Sequence, residues 1–389
     1  MKKIVSFVLV VFFSFSIFMI AGCGSKTPTE STEEINVNLP SDYEARITVS
    51  TSTGFMNDLE KVKQAFNKYY PNITVVIKPQ PNNNQQIISW HNADKARPGS
   101  SPDIFWFPNI DFPNLASGGI LKDLTPYFNA AVEAGKIDKE DLVEEYFNLG
   151  RLGFKEEGNL YMLPTHRDQI VCFINTTIFK WAGIEIPSDD WTWDEFVVVA
   201  QKLKEHYEKN GWGNICPVTA HLEAESTIYP IMMAHGVEFF DEDNNVILNN
   251  AKTKAALQFM KDMNDQGYAK YNHNGAVAGG QVAIQFQSRP ALIMPGEIEG
   301  AEFPNAGYFG VDDFNVVSFP KIMIDGVNKP AVGGGTHGYS MYRYTKNPNA
   351  AWAFLQFLYT QEAQNLLGEA GRHVPMLKSM HENDEPGEE

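Results

Sequence analysis

The chain has 389 residues, with 31 Lys plus Arg against 48 Asp plus Glu and a formal net charge of −17; 43% of residues are hydrophobic and 12% aromatic. At roughly 150 residues per domain this predicts two or three domains with room for large cores, and so acidic a surface repels a phosphate backbone, which excludes a general nucleic-acid binder. Three cysteines exclude a disulfide scaffold and a four-thiolate zinc site.

Met1, Lys2 and Lys3 form a short positive stretch ahead of an apolar run over 4–21, the pattern of an export signal. Ile20-Ala21-Gly22-Cys23 is similar to the lipobox of bacterial lipoproteins, which implies cleavage after residue 22 and lipid on the Cys23 thiol. The alternative is an uncleaved anchor helix; both tether the chain outside the cytoplasm. Residues 23–40 are polar and aperiodic and are expected to form a flexible tether.

From Ala45 the pattern alternates. Residues 46–50 (RITVS) read as a strand; Leu59, Val62, Phe66 and Tyr69 share one helical face; 73–77 (ITVVI) and 103–107 (DIFWF) read as further strands. Strand, helix, strand at this spacing predicts βαβ units and a largely parallel sheet. Residues 169–174 (QIVCFI) predict a buried strand, and Thr192 with Glu195 predicts a capping box opening a helix faced by Phe196, Val199, Ala200, Leu203 and Tyr207. A polar hairpin through residues 243–245 precedes a helix with Ala256, Phe259, Met260 and Met263 on one face. Asn347-Pro348 starts a last helix, with Ala351, Phe354, Leu355 and Leu358 inward. Residues 381–389 form an acidic, solvated tail.

Catalytic patterns do not occur: there is no nucleophile elbow, zinc-binding H-E-x-x-H, phosphate loop or dinucleotide fingerprint. Gly333-Gly334-Gly335 lacks the Lys and Ser/Thr of a phosphate loop and reads as a turn, and residues 241–245 lack the central Gly and final Glu of a calcium loop. Glu297 and Glu299 point the same way in an extended segment, whereas glycosidase carboxylates face each other. The nine histidines have no metal-ligand spacing. Cys172 and Cys216 can pair or remain as buried thiols, and their apolar contexts favour free thiols. We therefore expect no enzyme, no cofactor and no metal. An exported chain rich in aromatics and amides matches what saccharide recognition needs, namely aromatic faces and hydrogen-bonding side chains.

Motifs in chain order then resemble the extracellular solute-binding proteins of bacterial ABC importers, in the sugar-binding group. Residues 101–106 (SPDIFW) resemble the family's PD(V/I) strand, and Leu115-Ala116, Gly119, Leu121 and Leu124 its LA..G.L..L. Residues 158–164 (GNLYMLP) resemble GKIYGLP; 173–196 resembles YYNKDLFKKAGL..PKTWDEF; 288–296 is a looser copy of GKAAM...G; 333–340, 349–355 and 362–364 follow the family's closing motifs. The resemblance covers about 45–380. It implies an α/β periplasmic-binding-protein type II fold of two lobes with the ligand cleft between them: lobe I over 41–167 with a return segment 342–380, lobe II over 168–341. Chain crossings are expected near 166–171 and 335–342. It further implies a carbohydrate ligand, an ABC permease as partner, a monomer, and hinge closure in place of chemistry.

By position on that fold, Thr53, Gly54 and Phe55 follow the first strand and offer backbone N–H groups. Trp106 and Asp111 lie past the third strand, Trp106 as stacking platform or as core. His166, Arg167 and Asp168 lie at the first crossing, with Arg167 and Asp168 as hydroxyl clamp or hinge salt bridge; Glu297, Thr336 and His337 line the far side. Two departures stand out. Glu297 and Glu299 follow Gly296 where many members carry a Trp, which favours a polar or cationic ligand over a long maltodextrin. Family members also usually continue past the counterpart of residues 372–379, so an apolar face is expected to stand uncovered. The alternatives are a shortened, non-transporting surface sensor and an extracellular glycan hydrolase.

Overall fold

The structure, a computed structural model, describes residues 28–80, 84–109, 111–219, 225–239, 241, 245–270, 282–287, 314–324, 327–329, 334–369 and 374–381. The signal segment, Cys23, Glu297, Glu299, the centre of the 243–245 hairpin and the acidic tail lie outside them. β1 (Ala45–Thr51) leads through a 3-10 turn (Thr53–Phe55) into α1 (Met56–Tyr69), then β2 (Ile73–Pro79) and α2 (Asn84–Ala96). β3 (Ile104–Pro108), α3 (Phe112–Ser117) and α4 (Thr125–Glu133) follow. β4 (Leu163–Gln169) and β5 (Val171–Asn175) split the single strand expected over 169–174, with Ile170 between them. α5 (Thr176–Ala182), α6 (Trp193–Lys209), β6 (Val218–Thr219), α7 (Glu225–Ala234) and α8 (Ala251–Asp265) come next. β7 (Ala269–Lys270), β8 (Ile284–Gln287), β9 (Phe314–Val317), β10 (Ile322–Ile324) and β11 (Val327–Lys329) are short. β12 (Gly334–Met341), α9 (Pro348–Phe357) and α10 (Gln361–Gly368) end the order.

The chain forms two compact units: residues 1–139, 150–163 and 338–358, and residues 140–149, 164–337 and 359–389. One five-stranded sheet runs β2-β1-β3-β12-β4, and within the first unit β1 is parallel to both β2 and β3 as the βαβ reading requires. α1 lays Leu59, Val62 and Phe66 in the core and leaves Tyr69 54% exposed, because the apolar stripe turns outward in the last turn. α9 is buried nearly all round. Trp352 sits 5.5 Å from Tyr127 and Phe354 edge-on to Phe66 at 5.2 Å, and each such ring removes about 1.5–3 kcal/mol of hydrophobic cost from water. Pro348 occupies the first turn as expected, but the Asn347 side chain does not cap; its Nδ2 donates to the Arg46 carbonyl at 3.1 Å. Gly338 is dictated by space: a Cβ there would stand 2.2 Å from the Leu163 carbonyl oxygen.

Residues 28–40 are seated on this first unit. Val37 and Leu39 are buried, the Asn36 N–H donates to Asn349 Oδ1 at 3.0 Å, and Asn349 Nδ2 donates to the Glu34 carbonyl at 2.8 Å. Glu30 pairs with Arg343 and, at 3.4 Å, with Lys122.

The second unit has its own sheet, β7-β6-β8-β5-β9, with β5 antiparallel to β8 and β9. The capping box forms: Thr192 Oγ1 accepts from the Glu195 N–H and the Glu195 carboxylate accepts from the Thr192 N–H at 2.7 Å. That start angle drives Trp193 edge-on among Phe196, Phe319 and Phe286, at 5.2, 5.3 and 6.0 Å. Cys172 is buried, Cys216 half-buried, and both are unbridged.

Candidate ligand-binding site

In the first unit, β1 and β3 point the same way, so the turn after Thr51 and the segment after Pro108 emerge at the same edge of the sheet, where open α/β sheets hold ligands. Thr53 and Gly54 are exposed there; Phe55 is buried with its ring 5.3 Å from Trp106. Trp106 is 3% exposed and packs in the core. Asp111 caps α3 by position, half-buried, and its Oδ1 accepts from Asn84 Nδ2 at 3.0 Å.

Two residues that sequence reasoning did not single out hold this edge in shape. Gln80 is buried. Its Oε1 accepts from Ser50 Oγ at 2.6 Å and from the Trp106 N–H at 3.3 Å, and its Nε2 donates to the Trp106 carbonyl. One amide thereby ties the ends of β1 and β3 together. Tyr339 is buried with its hydroxyl 3.0 Å from Thr51 Oγ1, and burial pushes the phenol up, so it remains protonated. Neither stood out because a lone Gln after a Pro, and a Tyr in a Gly-rich strand, carry no pattern. Asp58 is buried in the first turn of α1 and already supplies a carboxylate there, so this helix start suits a neutral hydroxyl group better than an anion.

In the second unit, β4 and the start of β12 bring His166, Thr336 and His337 together. His166 Nε2 and His337 Nδ1 are 3.1 Å apart, with ring planes 11° from parallel and centroids at 4.9 Å. One imidazole donates to the other. Thr336 Oγ1 donates to the His166 carbonyl at 2.6 Å, and Thr165 Oγ1 lies 3.3 Å from His166 Nδ1. Gln364 braces the strand behind, donating to the Thr165 carbonyl at 3.2 Å. Arg167 turns to other partners: Nη2 lies 3.1 Å from His381 Nε2, and the guanidinium sits 5.5 Å over the Tyr146 ring. Its Nε is buried without a hydrogen bond among the described residues. Asp168 is placed as backbone in β4, its side chain outside the described residues, as is Glu297 altogether. Among the described residues no three His, Cys, Asp or Glu groups gather to hold a metal, and no helix is long and apolar enough to cross a membrane.

The turn after β1 and the segment after β3 thus present hydrogen-bonding groups at one end of the parallel strands. The bacterial extracellular solute-binding protein family matches residues 50–365, and the chain belongs to that family. Its fold is the type II periplasmic-binding-protein fold: an ABC substrate-binding protein of Listeria monocytogenes, solved in complex with cycloalternan, superposes with a TM-score of 0.70 at 19% identity, covering 86% of this chain and 81% of that one. An arabinooligosaccharide-binding protein of Halalkalibacterium halodurans is 28% identical over 210 residues, 50% of this chain and 43% of the relative, so the match spans less than half of that relative's length. An ABC transporter extracellular-binding protein of Pyrococcus horikoshii is 23% identical over 378 residues, 92% of this chain and 77% of its own.

Proposed function

We propose that the chain is a lipid-anchored receptor that captures a carbohydrate by closure of two lobes and delivers it to an ABC-transporter permease. The observation that carries this reading is the exposed Thr53–Gly54 turn, held by Gln80 and Tyr339 at the edge of the parallel strands, beside a buried acid that disfavours anions. Exposed backbone and hydroxyl groups on a rigid edge are what vicinal hydroxyls need. Thr53, Gly54, Phe55, Asp111, His166, Asp168, Glu297, Thr336 and His337 are the residues proposed to shape the pocket; Arg167 serves as a hinge strut on Tyr146, and Trp106 backs the turn from the core. Lipid on Cys23 holds the molecule at the membrane. Relatives named for arabinooligosaccharides, and a solved neighbour holding cycloalternan, support an oligosaccharide.

The test is a thermal melt against arabino- and maltooligosaccharides, amino sugars, polyols and, as controls, phosphate and amino acids. Saccharide at 100 times its Kd should add about 2.7 kcal/mol to the native state. A melt moved only by the non-saccharide controls overturns the reading. Membrane fractionation of Cys23→Ala tests the anchor: release into the medium or periplasm is expected, and unchanged membrane association overturns it.

A further inference from the structure

A cavity of about 410 Å³ lies in the first unit, away from the proposed site, between residues 30–35 and the helices behind the sheet. It falls inside the roughly 300–1,000 Å³ of small-molecule pockets. Its place in the fold is clear from Arg343: the preceding Tyr342 N–H donates to the Asp103 carbonyl at 2.8 Å, just ahead of β3. The cavity is therefore toward the start of β3, while Asp111 follows its end.

Each of its charged groups already has a partner, though the carboxylates keep acceptor capacity. Glu30 pairs with Arg343 and Lys122. Glu33 Oε1 accepts from the Tyr43 hydroxyl at 2.8 Å. Asp123 accepts from the Thr125 N–H at 2.9 Å and from Asn159 Nδ2 at 2.8 Å. The phenols are different. Tyr127 is 2% exposed, its ring packed on Trp352, yet it lines the cavity and its hydroxyl has no hydrogen-bond partner among the described residues. Tyr161, half-buried on the same wall, likewise shows no side-chain hydrogen bond there. Both phenols line the cavity, so this wall offers hydrogen-bond donors to an acceptor held there. Burial, with Glu33 and Glu30 nearby, pushes Tyr127 up to about 12, so it stays a donor at physiological pH.

We propose that this cavity is a second binding site, separate from the transport site, for a small neutral polyhydroxy compound of monosaccharide or cyclitol size. Its hydroxyls accept from Tyr127 and Tyr161 and donate to the spare lone pairs of Glu33 and Asp123. The five charged groups compensate one another to within one negative charge, so an anion gains nothing here. Residues 30–35 form one wall, so an occupant bridges this segment to the body and holds it down. The proposal stands whether or not the transport reading does.

The test uses the full chain with D-glucose and myo-inositol as probes at millimolar concentration. Ligand-observed saturation-transfer NMR reads binding, and hydrogen exchange of residues 28–40 reads where it acts. In the wild type a probe should bind and slow exchange over 28–40. Tyr127→Phe keeps the ring on Trp352 and should weaken that response roughly fivefold, the loss of about one neutral hydrogen bond. Glu33→Gln, which keeps the shape, should weaken it too, while His337→Ala should leave it intact. Exchange over 28–40 that no probe alters overturns the proposal. So does a response that survives in Tyr127→Phe, or one that vanishes in His337→Ala, which assigns the probe to the transport site instead.

Discussion

At Gly338 a methyl group has nowhere to go, since its nearest neighbour is the backbone of Leu163 rather than a side chain able to rotate away. Gly338→Ala should therefore destabilise the first unit by about 1–3 kcal/mol, the usual range for forced overpacking, and urea melts will read it. Tyr339→Phe makes a different demand. It leaves the fully buried Thr51 hydroxyl without its 3.0 Å partner, at a cost of about 1–3 kcal/mol for an orphaned buried polar group. The ring still fills its place, so the effect should concentrate at the Thr53–Phe55 turn, as faster amide exchange there and weaker ligand binding. Exchange at the turn equal to wild type would show that Tyr339 does not hold it. Residues of this kind are the part of the site that sequence could not show. Asp103 was visible as part of a motif, yet its carboxylate serves structure: it accepts from the Thr48 N–H at 2.8 Å and from Thr345 Oγ1 at 2.5 Å. Gln80 and Tyr339 act through partners 26 and 288 positions away, and no local period records such pairs.

At the scale of elements, the sequence was readable wherever local signals decide the outcome. The capping box of α6 and the inward stripe of α8 rest on neighbours a few positions apart, and the parallel pairing of β1 with β2 and β3 follows from the strand-helix-strand order. The break at Ile170 and the insertion of β12 between β3 and β4 rest on distant strands, and apolar periodicity is the same with or without them. The segment over 28–40 is the sharpest case. Its composition is that of a linker, but Asn36, Glu34 and Glu30 find partners more than 300 positions on, and two apolar residues suffice to bury it. Its hold should depend on pH. Burial acts against the Glu30 carboxylate, but the hydrogen bond from Arg343 and the charges of Lys122 and Arg343 outweigh it and keep the group below its usual 4.5. A depressed folded value means the contribution is complete above pH 4.5 and fades as pH falls through the lower folded value. Limited proteolysis should therefore find residues 28–40 protected at neutral pH and released on acidification. Glu30→Gln should be cut somewhat faster at neutral pH and show a weaker pH dependence, with Val37, Leu39 and Asn349 still holding the segment; a pH profile shared by variant and wild type would assign the release to other groups.

For the whole molecule, what matters is that each unit carries its own core, so a ligand held by one alone need not stabilise the other. Cys172 provides the reporter. It is fully buried in β5 of the second unit, and burial pushes its thiol well up, so the thiolate that reacts with alkylating agents forms only when that unit opens. Cys216, half-buried, is the internal comparison. Under sub-denaturing urea, iodoacetamide labelling of Cys172 followed by peptide mass spectrometry measures the opening of the second unit directly. A saccharide that engages both units should slow this labelling by the factor 1 + [L]/Kd, about a hundredfold at 100 times Kd. A saccharide held by the first unit alone should raise the first unit's resistance to urea and leave the Cys172 rate where it was. Only differential affinity for a state in which both units participate can drive closure, so an unchanged Cys172 rate with a bound saccharide would retain the binding reading and remove closure as its mechanism.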